Sequence, residues 1–143
     1  MNDKILAYIP QRHPFVMTGE MTYIDEKCTK TIFTIPPDNL FVANGYFTEP
    51  GLIENMAQTA AAYTGHRAYK QGKPAPVGYI AALRNVKVTE LPKANDTITT
   101  EILLEQVVMG FHLVKGRVMI GDKEIASTEF KIFLTPDQPG KAS

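Results

Sequence analysis

Between Pro50 and Gly65 the sequence holds one charged side chain, Glu54, and no Lys or Arg. A carboxylate among so many apolar neighbours is costly to bury without partners, and it admits two readings. One is an exposed first-turn glutamate favoured by the helix dipole. The other is a desolvated acid turned towards a substrate pocket, with Gln58 one turn below on the same helix face. The second reading suits proton transfer to a bound substrate. Three histidines offer further acid–base groups. His13 sits in the segment Pro10 to Phe15, and His66 follows Glu54 by more than three turns and adjoins Arg67, as a solvated helix residue would. His112 lies between Phe111 and Leu113 in a strand-like run, where pairing or packing is its expected role. The histidines form no closely spaced pair, so no metal site is expected.

Other reactive residue types contribute less. Cys28 is the one cysteine, which excludes an intrachain disulfide and a Cys-based zinc cluster. Its neighbours Asp25-Glu26-Lys27 would not activate a thiolate. The glycines form neither Gly-x-Gly-x-x-Gly nor a P-loop, so nucleotide binding lacks support. Ser127 and Ser143 stand outside any Gly-x-Ser-x-Gly context.

Glu54 needs a helix to hold it. Pro50 suits a first helical turn, and the pattern continues to about Gln71, where Gly72-Lys73-Pro74 ends it. On a wheel, Leu52, Ile53, Met56, Ala57, Ala60 and Tyr63 make a broad apolar face. Glu54, Gln58, Ala61, Ala62 and Gly65 lie opposite. So little charge predicts a helix covered on both sides, by a sheet on one and a second subunit on the other. Ahead of it, residues 2–8 read as a helical turn or two ended by Pro10. Phe15 to Ile24 and Lys30 to Ile35 read as strands, followed by a loop through Asn44-Gly45. Behind it come four strand-like runs: Val77 to Thr89, Asp96 to Met109, Phe111 to Ile120 and Glu124 to Leu134. The last two form a hairpin at Gly121-Asp122, and a polar tail follows from Thr135. Strict strand–helix alternation is missing. The class is therefore α+β, one antiparallel sheet of about five to six strands around one long central helix.

Composition agrees with a single domain over the 143 residues, 44% of them hydrophobic and 21% charged. Fifteen basic and fifteen acidic residues give zero net charge. No basic field exists to recruit nucleic acid or an anionic membrane. The longest apolar run, Val77 to Leu83, is far short of the roughly 20 residues that span a bilayer. The N-terminus lacks the apolar stretch of a secretory signal. A reducing cytoplasm is the expected compartment.

In order along the chain come Ile9-Pro10-Gln11-Arg12-His13-Pro14-Phe15, Gly45-Tyr46-Phe47, Pro50-Gly51 and Glu54-Asn55-Met56-Ala57-Gln58-Thr59-Ala60-Ala61. This series resembles the hot-dog-fold 3-hydroxyacyl-[acyl carrier protein] dehydratases, and the likeness extends more weakly to about Leu134. The resemblance implies a dimer of two sheets side by side, with a pantetheine tunnel to each site. It implies a His ahead of the helix that removes the C2 proton of an acyl thioester. It also implies a helix carboxylate that protonates the departing 3-hydroxyl, and a backbone N–H at the helix start that polarises the carbonyl. Glu54 matches the acid by its spacing to Gln58. Gly51 would supply the N–H, and Asn44, Gly45 and Phe47 would line the tunnel. The substrate would ride on acyl carrier protein or coenzyme A, with no cofactor.

The chain departs from that pattern at the base. The family's Gly-His-Phe is Gly45-Tyr46-Phe47 here, eight residues before Glu54 where the usual loop is longer. A phenol is a poor base at neutral pH. His13 is the candidate replacement. Three functions remain open: a dehydratase using Glu54 and a non-standard base, a hot-dog thioesterase, and a non-catalytic acyl-binding subunit. The resemblance extends to diverged members that serve polyene or secondary lipid pathways. A homodimer with the helices inside is expected, and a heterodimer with a paralogue is the alternative.

Overall fold

The computed structural model describes residues 3–74 and 76–134; the tail expected from Thr135 lies outside the described residues. Six strands form one antiparallel sheet: β1 (Glu20–Ile24), β2 (Cys28–Thr34), β5 (Gly78–Val88), β6 (Thr97–Val108), β7 (Phe111–Ile120) and β8 (Lys123–Leu134). Their spatial order is β1-β2-β6-β7-β8-β5. Period-two alternation decides the inner face. Thr29, Thr31 and Phe33 of β2, Ile98, Thr100 and Ile102 of β6, and Val114, Gly116 and Val118 of β7 are all buried. Against that face lies the helix α1 (Glu49–Lys70), which packs on β2, β6 and β7. Leu52, Met56, Ile98, Val118 and Ile125 are fully buried between the layers. Each such side chain stabilises the fold by about 1.5–3 kcal/mol relative to exposure. At its end α1 closes as expected: Gly72 takes φ +70, Lys73 N–H donates to Ala68 O and Gly72 N–H to Tyr69 O.

Three expectations need correction. The first concerns what covers the second side of α1. Gln58, Ala62 and Gly65 are buried by the chain's own N-terminal segment, which begins as a 3-10 helix (Asp3–Ala7) and adds Tyr8, Ile9, Val16 and Met17. A Cβ on Gly65 would stand 1.6 Å from the Tyr8 carbonyl oxygen, so only glycine lets the two backbones cross there. A narrower stripe of α1 (Ile53, Ala57 and Ala61, spaced four apart) stays half-buried and apolar.

The second correction is that β1 begins at Glu20, five residues later than Phe15. Residues 15–17 have their backbone groups claimed by α1 side chains instead. Met17 N–H donates to Gln58 Oε1 (2.7 Å), Gln58 Nε2 donates to Phe15 O (2.9 Å), and Asn55 Nδ2 donates to Met17 O (2.7 Å). Backbone groups so satisfied have no need of a sheet partner. The third is that the loop through Asn44-Gly45 is a hairpin, β3 (Val42–Ala43) and β4 (Tyr46–Phe47). Asn44 and Gly45 both have positive φ (55 and 84), the two-residue turn that Asn-Gly favours.

The strand β5 ends the sheet. Its outer edge pairs with no described strand, and Tyr79, Ile80, Leu83 and Val86 are exposed along it. Among the described residues, no helix is long and apolar enough to cross a membrane.

Candidate active site

Gln58 is the fixed point of the site. Its amide orientation is dictated, because Met17 N–H can only donate and Phe15 C=O can only accept. The second Nε2 proton then has one place to go, Oε2 of Glu54 at 2.8 Å. Glu54 is held on one oxygen while its other oxygen remains for a ligand. One turn away, Asn55 ties the same helix to the sheet: Thr100 Oγ1 donates to Asn55 Oδ1 (2.5 Å), and Thr31 and Thr59 hydroxyls meet at 2.8 Å. The acid therefore stands on a polar network with little freedom to shift.

Glu54 opens on a cavity of about 260 Å³ between α1 and the β5 side of the sheet. Its walls are mainly apolar, with Ala57, Ala60 and Ala61 from the helix and Ile102, Leu104 and Ile132 from the strands. Few polar groups interrupt it, the usual composition of a small-molecule site. Gln11 is one of them, and its Oε1 is buried with no donor among the described residues. A ligand N–H or O–H would satisfy that acceptor.

The other expected site residues lie elsewhere. Asn44, Gly45 and Tyr46 are exposed on the small hairpin, where Tyr46 bridges to Lys93. Phe47 is core, packed on Phe33. Gly51 is buried beneath it, since a Cβ there would come 2.6 Å from the Phe47 ring. Thr48, at the N-cap, turns its hydroxyl to Phe41 O (2.7 Å) and pins the hairpin to the helix start. None of the residues 44–47 or Gly51 lines the Glu54 cavity. His13 is exposed and lines a separate cavity with Glu20, Asp38 and Asn39. His66 packs edge-on against Tyr8, 5.0 Å between centroids. Burial and the charge of Lys70 lower its pKa.

His112, read from sequence as a packing residue, is the histidine that does line the cavity of Glu54. Burial lowers its pKa, which favours the neutral imidazole. The signal was available in the strand period, since His112 shares the parity of Val114, Gly116 and Val118. Cys28 behaves as expected. Burial and the charge of Glu101 push its thiol up, away from thiolate. Among the described residues, no group of three His, Cys, Asp or Glu stands where it could hold a metal ion.

A long helix wrapped by a six-stranded antiparallel sheet, with an acid on the helix facing an apolar cavity, defines a hot-dog protein. The model of ApeP-like proteins, described as ApeP dehydratase, matches residues 3–142, and the chain belongs to that family. It is similar to the 3-hydroxyacyl-[acyl-carrier-protein] dehydratase FabZ of Fusobacterium nucleatum, 26% identical over 135 residues (89% of this chain, 92% of that protein). The FabZ of Clostridium kluyveri is 24% identical over 132 residues, 88% of this chain and 90% of that one. Among solved structures, the dehydratase heterocomplex ApeI:P from Xenorhabdus doucetiae shares the fold at a TM-score of 0.85 and 14% identity, covering 93% of this chain and 91% of that chain. A hypothetical thioesterase protein with coenzyme A from Streptococcus pneumoniae shares it at 0.66 and 9%, covering 81% and 84%.

Proposed function

We propose that the protein takes 3-hydroxyacyl thioesters into the Glu54 cavity and eliminates water between C2 and C3, in fatty acid, polyene or secondary lipid biosynthesis. The observation that carries this reading is the fixed carboxylate: Gln58 donates to Glu54 Oε2 at 2.8 Å, and Glu54 faces an apolar cavity. Hydroxide leaves carbon only when protonated, and an acid positioned against the 3-oxygen supplies that proton. The alanines of α1 and the aliphatic strand residues suit an acyl chain. The buried Gln11 Oε1 suits a donor on the ligand, such as the substrate hydroxyl or a pantetheine amide. The carrier is acyl carrier protein, as named for the FabZ relatives, or coenzyme A. The elimination breaks a C–H and a C–O bond and releases water with no net oxidation or reduction, so acid–base groups suffice and it requires no cofactor. The reducing cytoplasm is part of this reading and suits a chain with one cysteine.

The protein acts as a dimer joined through β5. An eleven-residue edge strand with four exposed large apolar side chains is a template for pairing with another sheet. A second copy of this chain is the partner proposed. A non-identical paralogue is the alternative, favoured by the named two-chain assembly of ApeI:P. A monomeric mass by light scattering at micromolar concentration would refute the self-dimer.

The test of function is incubation with a 3-hydroxyacyl-pantetheine thioester and mass analysis of products. Loss of water supports the dehydratase. Release of free acid would make it a thioesterase instead, and no change would make it a binding subunit.

A further inference from the structure

We infer that His112 is the second catalytic residue of the Glu54 cavity, the base that takes the C2 proton; this rests on the dehydratase reading above. The sequence puts a tyrosine where the resembled family carries its histidine, and the structure puts that tyrosine on an exposed hairpin. Of the three histidines, His112 alone shares a cavity with Glu54. His112 stands on β7 two residues before Val114, on the face that looks at α1. It reaches the cavity from the sheet, while Glu54 reaches it from the helix. A substrate between the two layers therefore meets a carboxyl from the helix and an imidazole from the sheet.

The environment of the ring fits the role. Among the described residues, neither ring nitrogen has a hydrogen-bond partner, so a nitrogen is open to the ligand. Burial favours the uncharged imidazole, the form that accepts a proton. The groups facing it do not compete. From α1 come Glu54 and Tyr63, and the Tyr63 hydroxyl is committed to the Glu26 carbonyl. From β5 comes Tyr79 and from the β1–β2 turn Lys27, neither of them a carboxylate or an imidazole. The neighbouring strands β6 and β8 contribute aliphatic side chains only, Leu104 and Ile132 among them. One carboxyl and one imidazole therefore line the same cavity, the two kinds of group that an elimination of water needs.

The step balances without a further reagent. His112 takes the C2 proton, and the C–H electron pair becomes the C2=C3 double bond. The C3–O bond breaks, and the oxygen leaves as water with the proton of the Glu54 carboxyl. Return of the proton from imidazolium to carboxylate, directly or through solvent, restores the starting state.

The experiment uses the full chain and a 3-hydroxyacyl-pantetheine thioester, following water loss by mass. His112→Gln and His112→Ala should each lower turnover about 10²-fold or more, with melting temperatures that show both variants folded. Added imidazole should restore part of the rate to His112→Ala and none to Glu54→Gln, a response that a merely structural role would not give. His66→Gln, outside the cavity, should keep the wild-type rate. If wild-type protein dehydrates and His112→Gln keeps its rate within about threefold, His112 is not the base and the dehydratase reading stands. If wild-type protein neither dehydrates the thioester nor hydrates the enoyl product, both fall together.

Discussion

Replacing Gln58 by leucine tests whether the acid is positioned as the structure shows. The leucine nearly matches the glutamine in volume but removes three hydrogen bonds, to Met17 N–H, Phe15 O and Glu54 Oε2. Met17 is fully buried, so its orphaned N–H costs about 1–3 kcal/mol. Phe15 is exposed, and its carbonyl can turn to water at less than about 1 kcal/mol. The added apolar burial offsets roughly 1 kcal/mol. The net loss is about 2 kcal/mol. For 143 residues, an unfolding entropy near 2.1 cal/mol/K per residue makes about 0.3 kcal/mol/K, so the melting temperature should fall by about 7 °C. Turnover should fall further than stability explains, by about 10-fold or more, because Glu54 loses the donor that aims it. Calorimetry and the thioester assay on one preparation give both numbers. Gln58→Glu should be worse at neutral pH, since it sets an acceptor against the Phe15 carbonyl and Glu54. A Gln58→Leu protein that melts within about 2 °C of wild type and turns over normally would refute the network.

Glu54→Gln keeps shape and hydrogen bonding but removes the titrating proton, so the dehydration rate should fall roughly 10²-fold or more in the mass assay. Gly65→Ala drives a Cβ to 1.6 Å from the Tyr8 carbonyl oxygen. The N-terminal segment must then shift, and chemical denaturation should show a loss of at least about 1–3 kcal/mol. His112 and His66 both have lowered pKa values, from burial in each case and for His66 also from Lys70. The unfolded chain therefore binds protons first as pH falls through the ordinary histidine value, and stability should drop there while staying flat above it. His112→Gln should reduce that slope, read as the urea midpoint against pH, by removing one of the two contributors.

The helix and the sheet were legible because their signals are local. Pro50 and Gly72 bracket α1, and alternation in β2 follows Thr29, Thr31 and Phe33 into the core. What misled was each place where a side chain replaced backbone or where two distant segments met. Residues 15–17 have the composition of a strand, yet Gln58 and Asn55, some forty positions later, take their backbone groups. Gly65 reads as a weak point in a helix until Tyr8 crosses it. Asn44-Gly45 carried the strongest short hairpin signal in the chain, but the flanking strands are two residues each, too short for periodicity to register.

Glu54 and Gln58 stood out in the sequence because Glu54 is the one charge between Pro50 and Gly65 and Gln58 follows it by one turn on the same helix. The place of His112 beside Glu54 was not legible, because the two lie on different elements and because Phe111 and Leu113 made it look like one more packing residue. Parity along β7 distinguishes the cases. Phe111 and Leu113 point with Lys115 and Arg117, whereas His112 points with Val114, Gly116 and Val118 towards the helix. A half-buried histidine on the inner parity of a strand can turn its ring nitrogens to a protein partner, to water or to a ligand. Here no described residue supplies a protein partner, and the cavity shared with Glu54 supplies room for a ligand.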